Sequence, residues 1–166
     1  DWPGFYTYAT FNPSGVENRK LVDTAIQGDY SHAYLNDWDF VLLRYADILL
    51  MYAEAQNEAT GPDATVYAAI NQVRARPGVN MPPVDQSIYN TQDLVRNYIR
   101  HEREVEFPME GLRFFVLKRW HIADSLLPTI VDASGSNLVF YQRQYLLPFP
   151  QSELDINKNL VQNPGY

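Results

Sequence analysis

The densest concentration of side chains capable of chemistry is a run of alternating acids and bases between residues 100 and 119. Glu102, Glu106 and Glu110 recur every four residues, so they share one helix face up to the bend expected at Pro108. Paired carboxylates hydrolyse glycosidic bonds when they flank a sugar across about 5 to 10 Å, whereas neighbours on one helix face among arginines favour ion pairs. We therefore interpret the segment as part of a structural ion-pair network without a catalytic residue. The predicted network consists of Arg44, Glu54, Arg74, Glu102, Arg103, Glu106, Glu110, Arg113 and Arg119.

Other catalytic and metal-binding patterns are missing from the sequence. It contains no cysteine, which excludes a thiolate metal site and a cysteine nucleophile. His32, His101 and His121 lack the spacing of metal ligands, and Ser134 lies outside any nucleophile-elbow pattern. We accordingly expect no enzymatic activity, no cofactor and no metal ion.

A second set of candidate residues is the aromatic group near the start of the chain. Trp2, Tyr30, Tyr34 and Trp38 lie in turn-rich sequence with polar neighbours. Aromatic faces stack on the apolar faces of sugars, and loops on a rigid scaffold often carry binding residues. These four residues are our candidates for ligand contact; the alternative is that they cover the helical core of a larger protein.

Two helices are predicted upstream of the charged run. The strongest helical pattern covers residues 40–59, is apolar nearly all round, and stops at Gly61-Pro62. Asp63 or Thr65 can cap a second helix that continues to about residue 76. A tight turn between two such helices predicts a hairpin of the tetratricopeptide kind.

Further helices are predicted to carry the charged run. Thr91 can cap a third helix, which Pro108 should bend or end. A fourth apolar helix is expected over residues 112–127, followed by loops and a short strand near residues 138–141. The predicted fold class is mostly α, with long irregular loops.

Composition narrows the classes of function. The chain has 166 residues and a net charge of −7, and this acidic balance argues against a nucleic-acid partner, which requires a concentrated basic face. Its longest apolar run, Ile48 to Ala53, is far shorter than the roughly 20 residues that cross a bilayer.

We expect a single domain over residues 1–166. It should contain an aromatic-rich irregular segment (1–38), a helical core (40–127) and a loop-rich closing segment (128–166). Because the chain begins without methionine or a signal peptide, directly in irregular aromatic sequence, we also expect it to be the C-terminal part of a longer protein.

Three stretches, in order and with matching spacing, resemble the SusD/RagB family. The first covers residues 43–55 (Leu-Arg-Tyr-Ala-Asp-Ile-Leu-Leu-Met-Tyr-Ala-Glu-Ala) and the Ile-Asn-Gln-Val-Arg run that follows at 70–74. The second is the arginine- and glutamate-rich segment 99–120. The third runs from Leu-Pro-Phe-Pro at 147–150 to Gln-Asn-Pro-Gly-Tyr at 162–166.

The resemblance implies a SusD-like helical fold and a non-catalytic nutrient-binding role. Such proteins are surface-exposed lipoproteins of the bacterial outer membrane, anchored through an N-terminal cysteine that this chain does not contain. They bind an oligo- or polysaccharide, or in some members a peptide, and deliver it to a SusC-like TonB-dependent transporter. The resemblance places the charged segment in the family's structural signature and most ligand contacts upstream of residue 40.

One alternative function remains open. Helical-hairpin scaffolds often present concave protein-binding surfaces. The chain would then be a protein-interaction module that docks on the transporter and binds no glycan itself.

Overall fold

The computed structural model describes residues 41–132 and 135–166, which fall into two compact units. One unit ends at Arg113, and the other contains the described residues from Phe114 onward. Within the described ranges the regular structure is helical, with one isolated β-bridge between Val131 and Asn137 and no strand. The predicted mostly α fold class is confirmed, whereas the short strand expected near residues 138–141 is wrong.

Helix α1 spans Tyr45–Thr60, five residues later at its start than the apolar pattern predicted. Arg44 has an extended backbone, with φ −119° and ψ 152°, and serves as the N-cap residue. The prediction of burial nearly all round is also wrong: Leu50 and Ala53 are fully buried, but Ile48 remains 43 % exposed. One face of α1 therefore supplies the core and the other is open.

Helix α2 spans Ala64–Arg74 and completes the predicted hairpin with α1. Gly61 makes the turn with φ 82°, a left-handed value that favours glycine. Of the two candidate caps, Asp63 is used: its Oδ1 accepts from the backbone N–H groups of Thr65 at 2.8 Å and Val66 at 3.0 Å. The cap starts α2 so that its apolar side faces α1.

Helix α3 spans Gln92–Glu106, and Thr91 caps it by accepting from the Leu94 N–H at 3.3 Å. A reciprocal clamp joins its start to the end of α1. The fully buried Asn57 donates through Nδ2 to the Gln92 carbonyl at 3.0 Å, and Gln92 Nε2 donates back to the Asn57 carbonyl at 2.7 Å. These two hydrogen bonds hold the two helix ends together, while Asn57 Oδ1 is buried and accepts no hydrogen bond from the described residues.

The single core of this unit lies between the three helices. Its fully buried side chains come from each of them, as Leu50 of α1, Ile70 of α2 and Ile99 of α3 show. Complete burial of one such aliphatic side chain contributes about 1.5–3 kcal/mol.

The predicted continuous helix over residues 112–127 is wrong. The structure has α4 at Arg113–Arg119, α5 at Ala123–Leu126 and a 3₁₀ turn at Leu127–Thr129. Helix α4 ends where His121 adopts φ 52°. The Ile122 N–H then donates to the Leu117 carbonyl at 3.2 Å, and the His121 N–H to the Lys118 carbonyl at 3.0 Å. This bonding pattern closes a helix with a left-handed residue, usually glycine.

The second unit continues with a 3₁₀ turn at Gln142–Tyr145 and helix α6 at Gln151–Ile156. Among its described residues, the buried core consists of Leu117, Ala123 and Phe140. In the parts of the chain that the structure describes, no helix has the length and apolar character needed to cross a membrane.

Candidate functional site

The charged run of α3 meets the start of α1 through Arg44. Its Nε and Nη2 donate to the two carboxylate oxygens of Glu110 at 3.0 and 2.8 Å, a bidentate arrangement. Its Nη1 donates to Glu106 Oε1 at 2.7 Å, and Nη2 also donates to the Glu106 carbonyl at 3.0 Å. Burial opposes the charge of Arg44, but the hydrogen bonds to Glu110 and Glu106 outweigh it and raise the pKa of Arg44. These contacts hold Arg44 in the extended conformation that delays α1.

The arginines at the end of α2 contact the same face of α3. Arg74 forms an ion pair with Glu102, and Arg76 forms one with Glu106. Arg74 also donates through Nε to the Pro82 carbonyl at 2.7 Å, so it ties the loop after α2 to the cluster. Glu106 is therefore shared by cations from two directions.

Arg103 lies on the buried side of α3 and pairs with Asp47 of α1 at 2.7 Å. Both residues are buried, at 5 % and 7 % exposed. The guanidinium carbon atoms of Arg103 and Arg44 lie 5.2 and 4.9 Å from the ring centroid of Phe107. Within the described residues, Arg103 Nε and Nη1 make no hydrogen bond. The pair is thus desolvated and incompletely satisfied, a state in which loss of either partner is costly.

The remaining members of the predicted network are Glu54, Arg113 and Arg119. Arg113 pairs with Glu104 at 2.9 Å, at the end of the first unit. Glu54 is half-buried on α1, and in the second unit the guanidinium carbon of Arg119 lies 5.5 Å from the ring centroid of Trp120.

The predicted network omits three residues of these pairs: Asp47, Arg76 and Glu104. The position of Asp47 in an otherwise apolar stretch nevertheless indicates a partner on a neighbouring helix, because a charge there needs one.

The cluster is arranged for ion pairing and not for acid–base chemistry. Each of the three glutamates suspected of acid–base potential, Glu102, Glu106 and Glu110, is paired with an arginine. Among residues 41–132 and 135–166, no three His, Cys, Asp or Glu side chains are grouped as a metal site. The four aromatic candidates for ligand contact, Trp2, Tyr30, Tyr34 and Trp38, lie outside the described residues.

The outer side of α1 forms an exposed apolar face. Its helical members recur at intervals of three and four residues, as expected for one side of a helix. The side chains are 41–66 % exposed. We call this surface the α1 outer face; it consists of Tyr45, Ile48, Met51 and Tyr52.

Comparison with known proteins identifies relatives of one kind. The family model described as the SusD family matches residues 7–166. SusD-like protein P2 of Formosa agariphila is 33 % identical over 133 residues, which cover 77 % of this chain and 26 % of that protein. SusD-like protein P38 of the same organism is 32 % identical over 136 residues, covering 80 % of this chain and 25 % of that protein. The chain thus spans about a quarter of the length of these curated relatives.

Solved structures give the same result. A SusD-like protein from Bacteroides fragilis superposes with a TM-score of 0.63 at 32 % identity, covering 76 % of this chain and 26 % of that chain. A second protein from B. fragilis, described as a SusD-like carbohydrate-binding protein, superposes with a TM-score of 0.59 at 33 % identity. That match covers 72 % of this chain and 28 % of that chain.

Proposed function

Because the chain belongs to the SusD family, we propose that it takes part in capturing carbohydrate, without cleaving it, at the surface of the bacterial outer membrane. The observation that carries the ligand class is the similarity, at 33 % identity, to a solved protein described as carbohydrate-binding. In this proposal the protein is a surface lipoprotein that passes its ligand to a SusC-like TonB-dependent transporter. The proposed ligand is an oligo- or polysaccharide, and a peptide is the alternative ligand to be tested.

The charged cluster supports binding without catalysis. A glycosidase needs one carboxyl group able to donate a proton and a second across the sugar from it. Glu102, Glu106 and Glu110 are instead each engaged in an ion pair with an arginine. We assign these residues to the scaffold.

Ligand contact is proposed for the aromatic residues Trp2, Tyr30, Tyr34 and Trp38, supported by residue type and sequence position alone. Trp38→Ala and Tyr34→Ala should each weaken glycan binding in calorimetry. Unchanged affinity in both variants would remove these two residues from the site.

The primary test is binding to a panel of polysaccharides and peptides by affinity electrophoresis and calorimetry, with an assay for new reducing ends in parallel. We expect binding to at least one polysaccharide and no cleavage of it. Failure to bind any polysaccharide would overturn the proposal. So would cleavage that Glu106→Gln abolishes in a protein with native circular dichroism.

A second candidate function, a protein-interaction module, is favoured by the α1 outer face. Exposed aromatic and aliphatic side chains grouped on one helix side are typical of docking surfaces. The proposed occupant is the transporter. Ile48→Glu should then reduce co-purification with the transporter while leaving the unfolding curve unchanged, because Ile48 is 43 % exposed. Val105→Glu, on an exposed position of α3, is the matched control. Equal co-purification of all three proteins would exclude this face.

A further inference from the structure

The second unit brings two exposed tyrosines to one arginine. The guanidinium carbon of Arg143 lies 5.5 Å from the ring centroid of Tyr141 and 5.7 Å from that of Tyr166. Arg143 belongs to the 3₁₀ turn Gln142–Tyr145, and Tyr166 is the last residue of the sequence. The closing segment therefore folds back onto this turn and brings Tyr166 to Arg143.

Specific contacts hold the three side chains in this arrangement. Arg143 Nη1 donates to the Gly165 carbonyl at 3.3 Å, and the Tyr166 hydroxyl donates to the Leu146 carbonyl at 3.1 Å. The backbone N–H of Tyr141 donates to Gln144 Oε1 at 2.6 Å. The bond from the Tyr166 hydroxyl orders that ring before any ligand arrives, which lowers the entropic cost of binding.

Glycine is required at position 165 by the close approach of Arg143. Gly165 has φ 92°, a left-handed value, and a Cβ there would lie 2.8 Å from the Cβ of Arg143. A side chain at this position would push the chain terminus away from the turn. Gly165 is therefore a positioning residue for Tyr166.

The arrangement leaves binding capacity unused. Arg143 is exposed, and within residues 41–132 and 135–166 it forms no ion pair with a carboxylate. A guanidinium has several N–H donors in a planar fork that matches carboxylate and sulfate groups. Tyr141 and Tyr166 are 58 % and 48 % exposed, so ring surface remains available for stacking.

The charge of the surrounding segment permits an anionic ligand. Residues 114–166 contain four aspartates or glutamates and four lysines or arginines, whereas the whole chain has a net charge of −7. The excess negative charge therefore lies outside residues 114–166 of the sequence.

We infer that Tyr141, Arg143 and Tyr166 form a binding site for a sugar that carries a carboxylate or sulfate group. The guanidinium pairs with the anionic group while the tyrosine rings stack on adjacent apolar sugar faces. This inference rests on the proposed carbohydrate-binding function and specifies an acidic glycan at a site distinct from the aromatic candidates near the start of the chain. If the trio only fastens the chain terminus, its substitution will not change glycan affinity.

The test compares dextran, dextran sulfate and polygalacturonate as ligands of the full 166-residue chain, by affinity electrophoresis and calorimetry at low and high salt. We expect binding to at least one of the two charged polymers and weaker or no binding to dextran. The polymer preferred identifies sulfate or carboxylate as the anionic group. Binding should weaken with salt, because the ion pair is exposed.

Two substitutions with matched controls separate the site from general charge effects. Arg143→Gln should weaken binding of the preferred charged polymer about tenfold. Lys158→Gln makes the same charge change at an exposed position of the same segment and should have no effect. Tyr141→Ala should weaken binding about fivefold, while Phe115→Ala, which removes a 65 % exposed aromatic ring, should not.

Further variants test the positioning of Tyr166. Tyr166→Phe keeps the ring but removes the hydroxyl bond that orders it, so it should bind more weakly than wild type, and Gly165→Ala should weaken binding as much as Tyr166→Ala does. Every variant must show the native circular dichroism spectrum. Arg143→Lys preserves the charge, so its affinity for the preferred polymer should lie between that of wild type and that of Arg143→Gln.

The possible failures are distinct. The inference is overturned if Arg143→Gln binds the charged polymer with wild-type affinity, or if Lys158→Gln loses as much affinity as Arg143→Gln. In either case the proposed function still stands, because the wild-type chain binds a polysaccharide. Binding of dextran in preference to both charged polymers has the same meaning. A chain that binds no polysaccharide in any panel overturns the proposed function and this inference with it.

Discussion

The two units of the described chain are stabilised in different ways. The first, up to Arg113, has a core of eleven buried residues from three helices and a loop. It also buries the charges of Asp47, Glu102, Arg103 and Glu106. In the second, from Phe114 onward, the described core has three buried residues, Leu117, Ala123 and Phe140.

The described part of the second unit also has polar and aromatic contacts near its surface. Tyr145 stacks on His121, with ring centroids 4.4 Å apart, and its hydroxyl donates to Asp124 Oδ1 at 2.5 Å. Gln162 and Asn163 bond the backbone of the preceding loop at Phe149 and Leu147. Exposed contacts of this kind contribute less each than buried ones. Substitutions in the first unit should therefore lower the free energy of unfolding, whereas the surface of the second unit can carry recognition residues at a smaller loss of stability.

The largest effect is expected from Arg103→Ala. It leaves Asp47 buried without its cation, so the free energy of unfolding should fall by about 3–5 kcal/mol in urea titration. Arg96→Ala breaks the exposed pair with Glu58, whose atoms lie 2.5 and 2.6 Å apart, and should cost less than about 1 kcal/mol. Equal losses would remove the distinction between buried and exposed pairs.

A double substitution sharpens the same comparison. Arg103→Met with Asp47→Leu replaces an incompletely bonded pair by apolar groups, so stability should return to the wild-type value or exceed it. A double variant no more stable than Arg103→Ala would show that the pair itself contributes net stability.

Leu50→Ala, at a fully buried site, should cost about 2–5 kcal/mol and accelerate amide hydrogen exchange throughout the three helices of the first unit. Leu117→Ala should instead accelerate exchange chiefly within residues 114–132, because that core is small. Loss of protection from both units in each variant would mean that they unfold together, contrary to the comparison.

Tyr145→Phe should change the pKa of Asp124 more than it changes the free energy of unfolding. The hydrogen bond from the Tyr145 side chain is the main reason that the pKa of Asp124 is lowered, so the pKa of Asp124 should rise towards its ordinary value in this variant. NMR titration of the carboxyl carbon measures the change. Tyr52→Phe, which removes a hydroxyl bonded to Thr65 at 3.0 Å in the first unit, should leave Asp124 unaffected.

The smallest expected effect is the acid response of the α2 cap. Hydrogen bonds from the Thr65 side chain, the Gln56 side chain and the Val66 N–H lower the pKa of Asp63 to about 2. Since an unfolded aspartate titrates near 3.9, the cap contributes fully above about pH 4, and its contribution is lost as pH falls to 2. Hydrogen exchange at the start of α2 should accelerate over that range.

Asp63→Asn provides the matched control for the cap. Asparagine caps helices without titrating. In this variant, hydrogen exchange at the start of α2 should therefore change between pH 4 and pH 2 only as much as the intrinsic chemical exchange rate does. The same acid response in both proteins would place its origin elsewhere.

Predictions from the sequence succeeded where a residue acts on its own backbone. The family, the mostly α class and the hairpin are confirmed. Gly61-Pro62 ends α1, Thr91 caps α3, and α3 ends two residues before Pro108. Each effect depends on the conformational limits of one or two residues.

Predictions failed where a distant contact overrides local preference. The start of α1 was misplaced because Arg44 is held extended by Glu106 and Glu110, more than 60 positions away. The fourth helix was extended too far because His121, and not glycine, takes the left-handed position that closes α4. Hydrophobic periodicity records neither event.

The stop of α1 at Gly61-Pro62, the cap of α3 at Thr91 and the family follow from the sequence alone, because they depend on backbone limits and residue pattern. The choice of partner for each charge depends on the tertiary structure. Examples are the ion pairs of Arg103 with Asp47 and of Arg74 with Glu102. The tertiary structure also brings Arg143 within reach of both Tyr141 and Tyr166. Ion pairs and ring contacts depend on distances of a few ångströms between segments far apart in the chain, and those distances are set by how the helices and the closing segment pack.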